Sequence, residues 1–238
     1  MIPISPLTRV GEQHRTLRDA VLDELRELIV EGVLPQGARL VEHDLAEQFA
    51  VSRVPLREAI LQLEAEGLVR KLPRRGSVVA TLTAKDVADL LDIREALEGL
   101  AAARTAQLSA DADRAVLRQR LDQARTAADR GDVSVVARLN LAFHADLVRI
   151  ADNDLLTTMV APLQSRMRWL FRLLTTGTGD PGVMCREHST IYDAIAAGDR
   201  DRAERLAREH VANTREPTLR LLRALTTPVP HPDRGMSS

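Results

Sequence analysis

Residues 51–67 have the sequence VSRVPLREAILQLEAEG, and this stretch decides the fold of the N-terminal part of the chain. Its apolar residues recur three and four apart, which predicts a helix over about residues 54–66 with one buried face. Arg53 and Arg57 are four apart and share a different face of that helix. A proline suits the first turn, and Gly67 suits the C-terminal cap.

The segments on both sides of this helix complete a small domain. In chain order they are predicted to be a helix over about 14–32, a short strand at 39–41, a helix over about 43–49, the helix described above, and strands at 68–72 and 77–81. The last two strands are joined by Pro73-Arg74-Arg75-Gly76, in which the glycine supplies the positive φ that a tight turn needs. This order predicts a winged helix-turn-helix over residues 14–81.

The rest of the chain has only helical periodicity. Six helices are predicted, over about 84–107, 110–130, 132–151, 153–175, 182–197 and 199–225. The fold class is therefore mainly α: an N-terminal winged helix-turn-helix followed by an all-α six-helix bundle over residues 82–226. Residues 1–13 are expected to be a flexible arm, and the proline- and glycine-containing residues 227–238 a disordered tail.

Composition excludes several classes of protein. Aromatic residues make up only 2% of the chain, which disfavours a fold rich in strands. A single cysteine excludes an internal disulfide framework and fits a reducing compartment. The N-terminus lacks the pattern of a signal peptide, and no run is long and apolar enough for a transmembrane helix. We therefore expect a cytoplasmic protein with no membrane partner.

The formal net charge of −1 gives no general reason to expect nucleic-acid binding, so the argument rests on local clustering. Between Ser52 and Gly76 there are six basic residues and three acidic ones. Exposed arginines at the start of the second helix of a helix-turn-helix are what major-groove recognition requires, and the hairpin tip suits phosphate or minor-groove contact. The alternative is a solvated basic face with no ligand.

The same residues carry a family resemblance over about 70 positions. The segments LVEHDLA (40–46), VSRVPLREAI (51–60) and LEAEGLV (63–69), followed by Arg75-Gly76, resemble the winged helix of the GntR family of transcription regulators. The family often has threonine where this chain has Val54, which cannot hydrogen-bond phosphate, so we assign it no polar contact. The predicted DNA-binding residues, implied by the resemblance and by the wing, are Ser52, Arg53, Arg57, Arg74, Arg75 and Gly76.

Three histidines lie on apolar stripes of three different helices. His144, His188 and His210 are each spaced three or four residues from leucine, isoleucine or methionine, so all three should face the bundle core. One inward histidine is usually a packed core residue. Three that converge have no simple packing motive, whereas a divalent metal provides one. Asn140 lies one turn before His144 and could add an oxygen ligand.

The bundle resembles the FCD effector domain of the FadR subfamily, nearer to its six-helix branch. Many FCD domains have Asp or Asn four residues before a histidine, and two further histidines on later helices. The resemblance implies a metal, zinc or nickel, at Asn140, His144, His188 and His210. Asn140 departs from the commoner aspartate, and a neutral amide is a weaker ligand.

In that family an organic acid or similar effector lies beside the metal. Arg94 and Arg166 lie within apolar stripes and could each pair with a carboxylate. The alternative for Arg94 is an internal salt bridge with Glu98, one turn later. Glu187 precedes His188 and is expected to face solvent, because adjacent residues lie about 100° apart around a helix.

The resulting prediction is a homodimeric repressor that a small carboxylate effector releases from a pseudo-palindromic operator in double-stranded DNA. One alternative is a metal-dependent enzyme in the bundle, since three histidines and an open position can activate water. Against it, no acidic residue forms a motif such as HExxH, and Cys185 has no convincing base partner. Another alternative is a metal-free structural dimer module.

Overall fold

The computed structural model describes residues 16–173 and 180–226. The chain divides into two compact units, Met1–Thr81 and Leu82–Ser238. The predicted flexible arm at 1–13 and disordered tail at 227–238 lie outside the described residues. In the described part the first unit has the predicted helix, helix, helix, hairpin order and the second has six helices, so the predicted fold class is confirmed.

The first unit is a three-helix core closed by a hairpin. Its elements are α1 (Leu17–Val30), α2 (Glu42–Gln48), α3 (Arg53–Ala65), β1 (Val69–Leu72) and β2 (Gly76–Val79). The strands are antiparallel, with Val69 opposite Val79 and Leu72 opposite Gly76. The predicted strand at 39–41 is reduced to one bridge, between Arg39 and Val78.

The end of α3 shows how its sequence stops the helix. Gly67 has a φ of 73°, the left-handed conformation that glycine adopts at low cost. The amide of Leu68 donates to the carbonyl of Leu63 and that of Gly67 to Glu64, which satisfies two helix-end carbonyls. Glu66, only 7% exposed, receives two hydrogen bonds from Arg26 of α1. This ion pair ties α1 to the end of α3.

The hairpin turn differs from the sequence expectation in one respect. Gly76 has a positive φ of 75°, but the non-glycine Arg74 also has one, of 63°. The amide of Arg75 donates to the carbonyl of Leu72 at 3.2 Å and closes a four-residue turn. A turn with proline second and a positive φ third matches the type II pattern, so the chain geometry requires the left-handed conformation at Arg74.

The second unit is a helical bundle. Its elements are α4 (Ala84–Leu108), α5 (Asp111–Asp129), α6 (Val133–Ile150), α7 (Asp154–Leu173), α8 (Pro181–Ala196) and α9 (Arg200–Thr226). Helix α4 begins with a reciprocal cap between Thr83 and Asp86. The core is formed mainly by α4, α6, α8 and α9, with Phe143, Leu147 and Ile191 at most 1% exposed. Among the described residues, none of the helices combines the length and apolar character needed to cross a membrane.

Two leucines of α3 give a matched test of its buried face. Leu63 is fully buried and Leu61 is 53% exposed. We expect Leu63→Ala to lower the free energy of unfolding by about 2–5 kcal/mol, because it removes buried apolar atoms and leaves a cavity. Leu61→Ala should change it by less than about 0.5 kcal/mol. Urea unfolding followed by circular dichroism measures both, and equal losses would contradict the assigned face.

Candidate nucleic-acid interface and metal centre

The start of α3 presents a polar surface to solvent. The side chains of Arg53 and Arg57 are 63% and 57% exposed. Ser52 is the N-cap residue, yet its side chain makes no capping hydrogen bond. Ser52 and the first two residues of α3 are exposed, and an exposed helix N-terminus is suited to phosphate. Val54 is 66% exposed beside them.

Glu42, at the start of α2, is a member of this surface that sequence analysis missed. Arg57 donates from Nη2 to Glu42 Oε2 at 2.8 Å and from Nε to the same oxygen at 3.2 Å. Arg53 Nη2 lies 3.9 Å from that oxygen. The hydrogen bond from Arg57 is the main influence lowering the pKa of Glu42. Glu42 and Arg57 are 15 positions apart, so only the crossing of α2 and α3 brings them together.

The hairpin tip carries the other predicted DNA contacts. Arg74 and Arg75 in the turn, and Gly76 at the start of β2, are all exposed. With Arg53 and Arg57, the winged unit has four exposed arginines among the predicted positions.

The three histidines converge in the core of the helical unit. His144 of α6, His188 of α8 and His210 of α9 are 6%, 2% and 2% exposed. One ring nitrogen from each lies within 4.8 Å of the other two. The Nε2 atoms of His188 and His210 are 3.2 Å apart. Such a group of nitrogen donors fits a transition-metal ion.

Two glutamates lie beside the Nδ1 atoms of two of these rings, His210 and His144. Glu187 Oε2 accepts a hydrogen bond from His210 Nδ1 at 2.7 Å. Glu98 Oε2 lies 2.9 Å from His144 Nδ1, although this contact lacks the alignment of a hydrogen bond. Carboxylates in such places fix the orientation and tautomer of metal-binding histidines. Nδ1 of His210 faces Glu187 and Nδ1 of His144 faces Glu98. The Nε2 atoms of both rings are therefore left for the interior of the cluster.

The expectation that Glu187 faces solvent is wrong. Its side chain is 25% exposed, and its Oε1 also accepts a hydrogen bond from Asn213 of α9 at 2.8 Å. The angle between adjacent residues on α8 correctly separates Glu187 from His188. Helix α9 packs beside α8, however, so Glu187 on the flank of α8 reaches the ring of His210 on α9 instead of solvent.

The charge state of the cluster also suits metal binding. Burial lowers the pKa of His144 to about 4, and burial holds the pKa of His188 well below its usual value. Both rings are therefore neutral near pH 7, the form that coordinates metals. Burial acts to raise the pKa of Glu98, but the guanidinium of Arg94 is the largest opposing influence, and that pKa is held well below its usual value.

Asn140 is a buried polar residue on the same helix as His144. It lies on α6 one turn before His144 and is 5% exposed. Its Oδ1 is buried and has no hydrogen-bond partner among the described residues, and the same holds for both ring nitrogens of His144. Buried polar atoms without protein partners are costly, so these atoms are suited to holding a bound ion. The residues present therefore fit a metal ion.

A small cavity adjoins the cluster. Its volume is about 30 Å³, and its lining includes Arg94, Glu98 and His144 together with apolar residues of α4, α6 and α7. Gln164 of α7 is a further polar lining residue, and sequence analysis missed it because a lone glutamine on a helix gives no signal.

The structure separates the two predicted effector-binding arginines. Arg94 is 5% exposed, lines the cavity and forms the internal salt bridge with Glu98 that was the alternative for it. Arg166 does not line this cavity. Its Nε is buried and lacks a hydrogen-bond partner in the described part of the chain.

Two protein-family models match the chain. Residues 17–79 match "Bacterial regulatory proteins, gntR family", and residues 89–213, more than half of the chain, match the FCD domain. The chain belongs to the GntR family. GntR-family members bind operator DNA and FCD domains bind small-molecule effectors, so this regulator is a DNA-binding protein of transcription control and not an enzyme. The GntR and FCD resemblances predicted from the sequence are confirmed.

Relatives within the GntR family match over most of their length. The HTH-type transcriptional repressor RspR of Escherichia coli K12 is 30% identical, over 81% of this chain and 84% of its own. A probable D-xylose utilization operon transcriptional repressor of Paenarthrobacter nicotinovorans is 31% identical, over 83% and 88%.

Solved structures share the fold. A putative GntR transcriptional regulator from Rhodococcus sp. RHA1 has a TM-score of 0.70 and 26% identity, over 85% of this chain and 97% of that one. E. coli McbR/YncC has a TM-score of 0.71 and 23% identity, over 90% and 100%, a likeness that concerns the fold alone.

The buried pair of Arg94 and Glu98 gives a testable consequence. We expect Arg94→Met to lower the free energy of unfolding of the helical unit by about 3–5 kcal/mol, because it leaves Glu98 as a buried charge without its partner. Arg94→Met/Glu98→Leu should lose less than the single variant. Urea unfolding followed by the fluorescence of Trp169, the chain's one tryptophan and 1% exposed, measures both.

Arg205→Met is the matched control. Arg205 forms the same kind of pair with Glu209, four residues later, but its side chain is 61% exposed. Its loss should cost only about 0.3–0.5 kcal/mol. Glu98→Leu alone completes the comparison: if the double variant lost the sum of what Arg94→Met and Glu98→Leu lose singly, the two residues would not be energetically coupled.

Proposed function

We propose that this regulator is a repressor of the FadR subfamily that a small carboxylate effector, bound beside a metal ion, releases from its operator. Residues 14–81 bind DNA and residues 82–226 bind the metal and the effector. The observation that carries the proposal is the buried cluster of His144, His188 and His210. The two relatives described above that are named as repressors support repression as the mode of action.

The DNA-binding residues are proposed to be those at the start of α3 and at the hairpin tip. Arg53 and Arg57 contact base edges or phosphates in the major groove, Ser52 contacts phosphate, and the tip follows the backbone or the minor groove. A homodimer would place two copies of α3 on the half-sites of a pseudo-palindromic operator. The tip residues of the proposed interface are Arg74, Arg75 and Gly76.

The proposed metal ligands are the three histidines and Asn140. Zinc or nickel suits nitrogen-rich sites, and three imidazoles with one amide leave room for a further ligand. The bound ion supplies positive charge and an open coordination position. Glu98 and Glu187 orient His144 and His210, while burial excludes competing water.

A carboxylate effector fits the polar end of the cavity. Arg94 supplies a guanidinium there and His144 supplies a ligand of the metal, so a carboxylate would meet both. Arg166 is a candidate only for the outer part of a larger effector, since it does not line the cavity. The effector changes the affinity for DNA only if it binds with different affinity to the protein conformation that binds DNA and to the one that does not. The coupling free energy between two such sites is typically ~1–3 kcal/mol.

Arg57 provides the test of the DNA half. We expect Arg57→Ala to weaken binding to a duplex selected by the wild type from a random pool by about 1–3 kcal/mol, since it removes a contact and leaves Glu42 near the phosphates. The dependence of affinity on salt should also become weaker. Fluorescence anisotropy at several salt concentrations measures both.

The control for the DNA test is Arg205→Ala, an exposed arginine of the helical unit. Both its affinity and its salt dependence should equal those of the wild type. Equal losses in the two variants would show that Arg57 acts only through net charge.

His188 provides the test of the sensory half. We expect about one equivalent of zinc or nickel per wild-type chain by elemental mass spectrometry, and almost none in His188→Ala, because two imidazoles hold these ions far less tightly. His43→Ala is the matched control, since His43 is exposed and belongs to the winged unit. Screening small carboxylates for release of DNA from metal-loaded wild type then tests the effector.

The opposite results identify the alternative. Wild type that binds no metal, and whose DNA affinity no carboxylate changes, would be the metal-free structural dimer module.

A further inference from the structure

Asn140 differs from the other proposed ligands because it has no anionic form. It is buried, its Oδ1 lacks a hydrogen-bond partner among the described residues, and it lies one helical turn before His144. Three neutral imidazoles and a neutral amide would surround a divalent ion without neutralising any of its charge. A buried charge must be balanced, so the balance has to come from groups around the ligands.

The charged groups around the cluster can be counted from the described residues. Arg94 and Glu98 of α4 are buried and paired with each other, and Glu98 also faces His144. Glu187 of α8 faces His210. The side chains that contact the rings or each other here carry one positive and two negative charges in all. Arg186 also acts on Glu187, but it is exposed, so water screens its charge. A divalent ion would therefore leave the site with one excess positive charge, whereas an aspartate at position 140 would make it neutral.

The same count explains why an anion should not bind alone. Without the ion the surroundings carry one net negative charge, and the carboxylate of Glu98 lines the cavity itself. With the ion the sign reverses, and the donors Arg94 and Gln164 line the same cavity. Bound metal therefore raises the affinity for the anion, and by reciprocal linkage the bound anion raises the affinity for the metal by the same factor. This is positive coupling.

The cavity also limits the size of the anionic group. Its volume is about 30 Å³. A bound water needs about 10–15 Å³ on this scale, so the space holds about two oxygen-sized atoms. That is the size of a carboxylate head group. The remainder of a larger effector would require the apolar wall formed by α7 to move.

We propose that Asn140 makes metal binding depend on an anion: a singly charged carboxylate in the cavity lined by Arg94, Gln164 and His144 completes the site, and metal and carboxylate bind with positive coupling. This inference rests on the metal site of the proposed function. It adds that the regulator responds to the two ligands jointly, because neither alone satisfies the buried charges.

The experiment measures zinc affinity with and without acetate. Metal-free protein is titrated with zinc in competition with a chelator, in sodium acetate or in sodium perchlorate of equal ionic strength, with the zinc bound by acetate in solution subtracted. For the wild type we expect the zinc dissociation constant to fall at least tenfold in acetate. Cobalt absorption spectra, recorded in the same two salts, should change with acetate as an oxygen ligand enters.

Asn140→Asp is the decisive variant. It supplies the missing negative charge, so zinc should bind about tenfold more tightly in perchlorate than it does to the wild type. Acetate should then change its affinity less than threefold. Asn153→Asp is the matched control: Asn153 caps α7 outside the cluster, the same charge is added there, and aspartate caps a helix equally well. It should behave as the wild type does.

The outcomes separate this inference from the proposed function. If wild type binds zinc equally well in both salts, and His188→Ala abolishes that binding, the metal site stands and the anion dependence is overturned. If neither wild type nor Asn140→Asp binds zinc in acetate, the metal site and the inference are both overturned. The wild-type comparison decides the question of coupling even if Asn140→Asp does not fold.

Discussion

The burial of three imidazole rings at one point is the constraint on which the helical unit depends. His144, His188 and His210 come from three helices, and their ring nitrogens need partners that an apolar core does not supply. Glu187 supplies one partner for His210, and His188 and His210 meet each other. His144 has both nitrogens buried without a hydrogen bond. A ligand bound at the cluster would satisfy these nitrogens.

Arg94, Glu98 and His144 connect this cluster to the cavity beside it. Glu98 is shared between a guanidinium on one side and an imidazole on the other, in a region with almost no solvent exposure. In such surroundings charge interactions are strong, because water screens them little. A change of charge at the cluster therefore changes the electrostatic potential at Arg94, which lines the cavity. This arrangement is the physical basis of the proposed coupling between metal and effector.

The winged unit uses similar residue types under opposite conditions. Arg57 is paired with Glu42, as Arg94 is with Glu98, but Arg57 remains 57% exposed. Exposed ion pairs contribute little to stability because water competes for both partners. Arg57 can therefore exchange Glu42 for a phosphate or a base at small cost, whereas Arg94 cannot leave Glu98 without leaving a buried charge behind. Exposure thus distinguishes an arginine suited to reversible DNA contact, Arg57, from one suited to a permanent place in the cavity wall, Arg94.

The sequence by itself determined the order of helices and strands, the end of α3 at Gly67 and the inward direction of the three histidines. These features follow from the spacing of apolar residues and from the backbone preferences of single residues, which are local. The tertiary structure alone decided the partners: Glu42 beside Arg57, Glu187 beside His210, and Gln164 in the cavity wall. Each of these contacts joins two helices, and the periodicity of one helix carries no information about the side chains of the helix that crosses it. For that reason the histidines were predictable and the carboxylates that orient them were not.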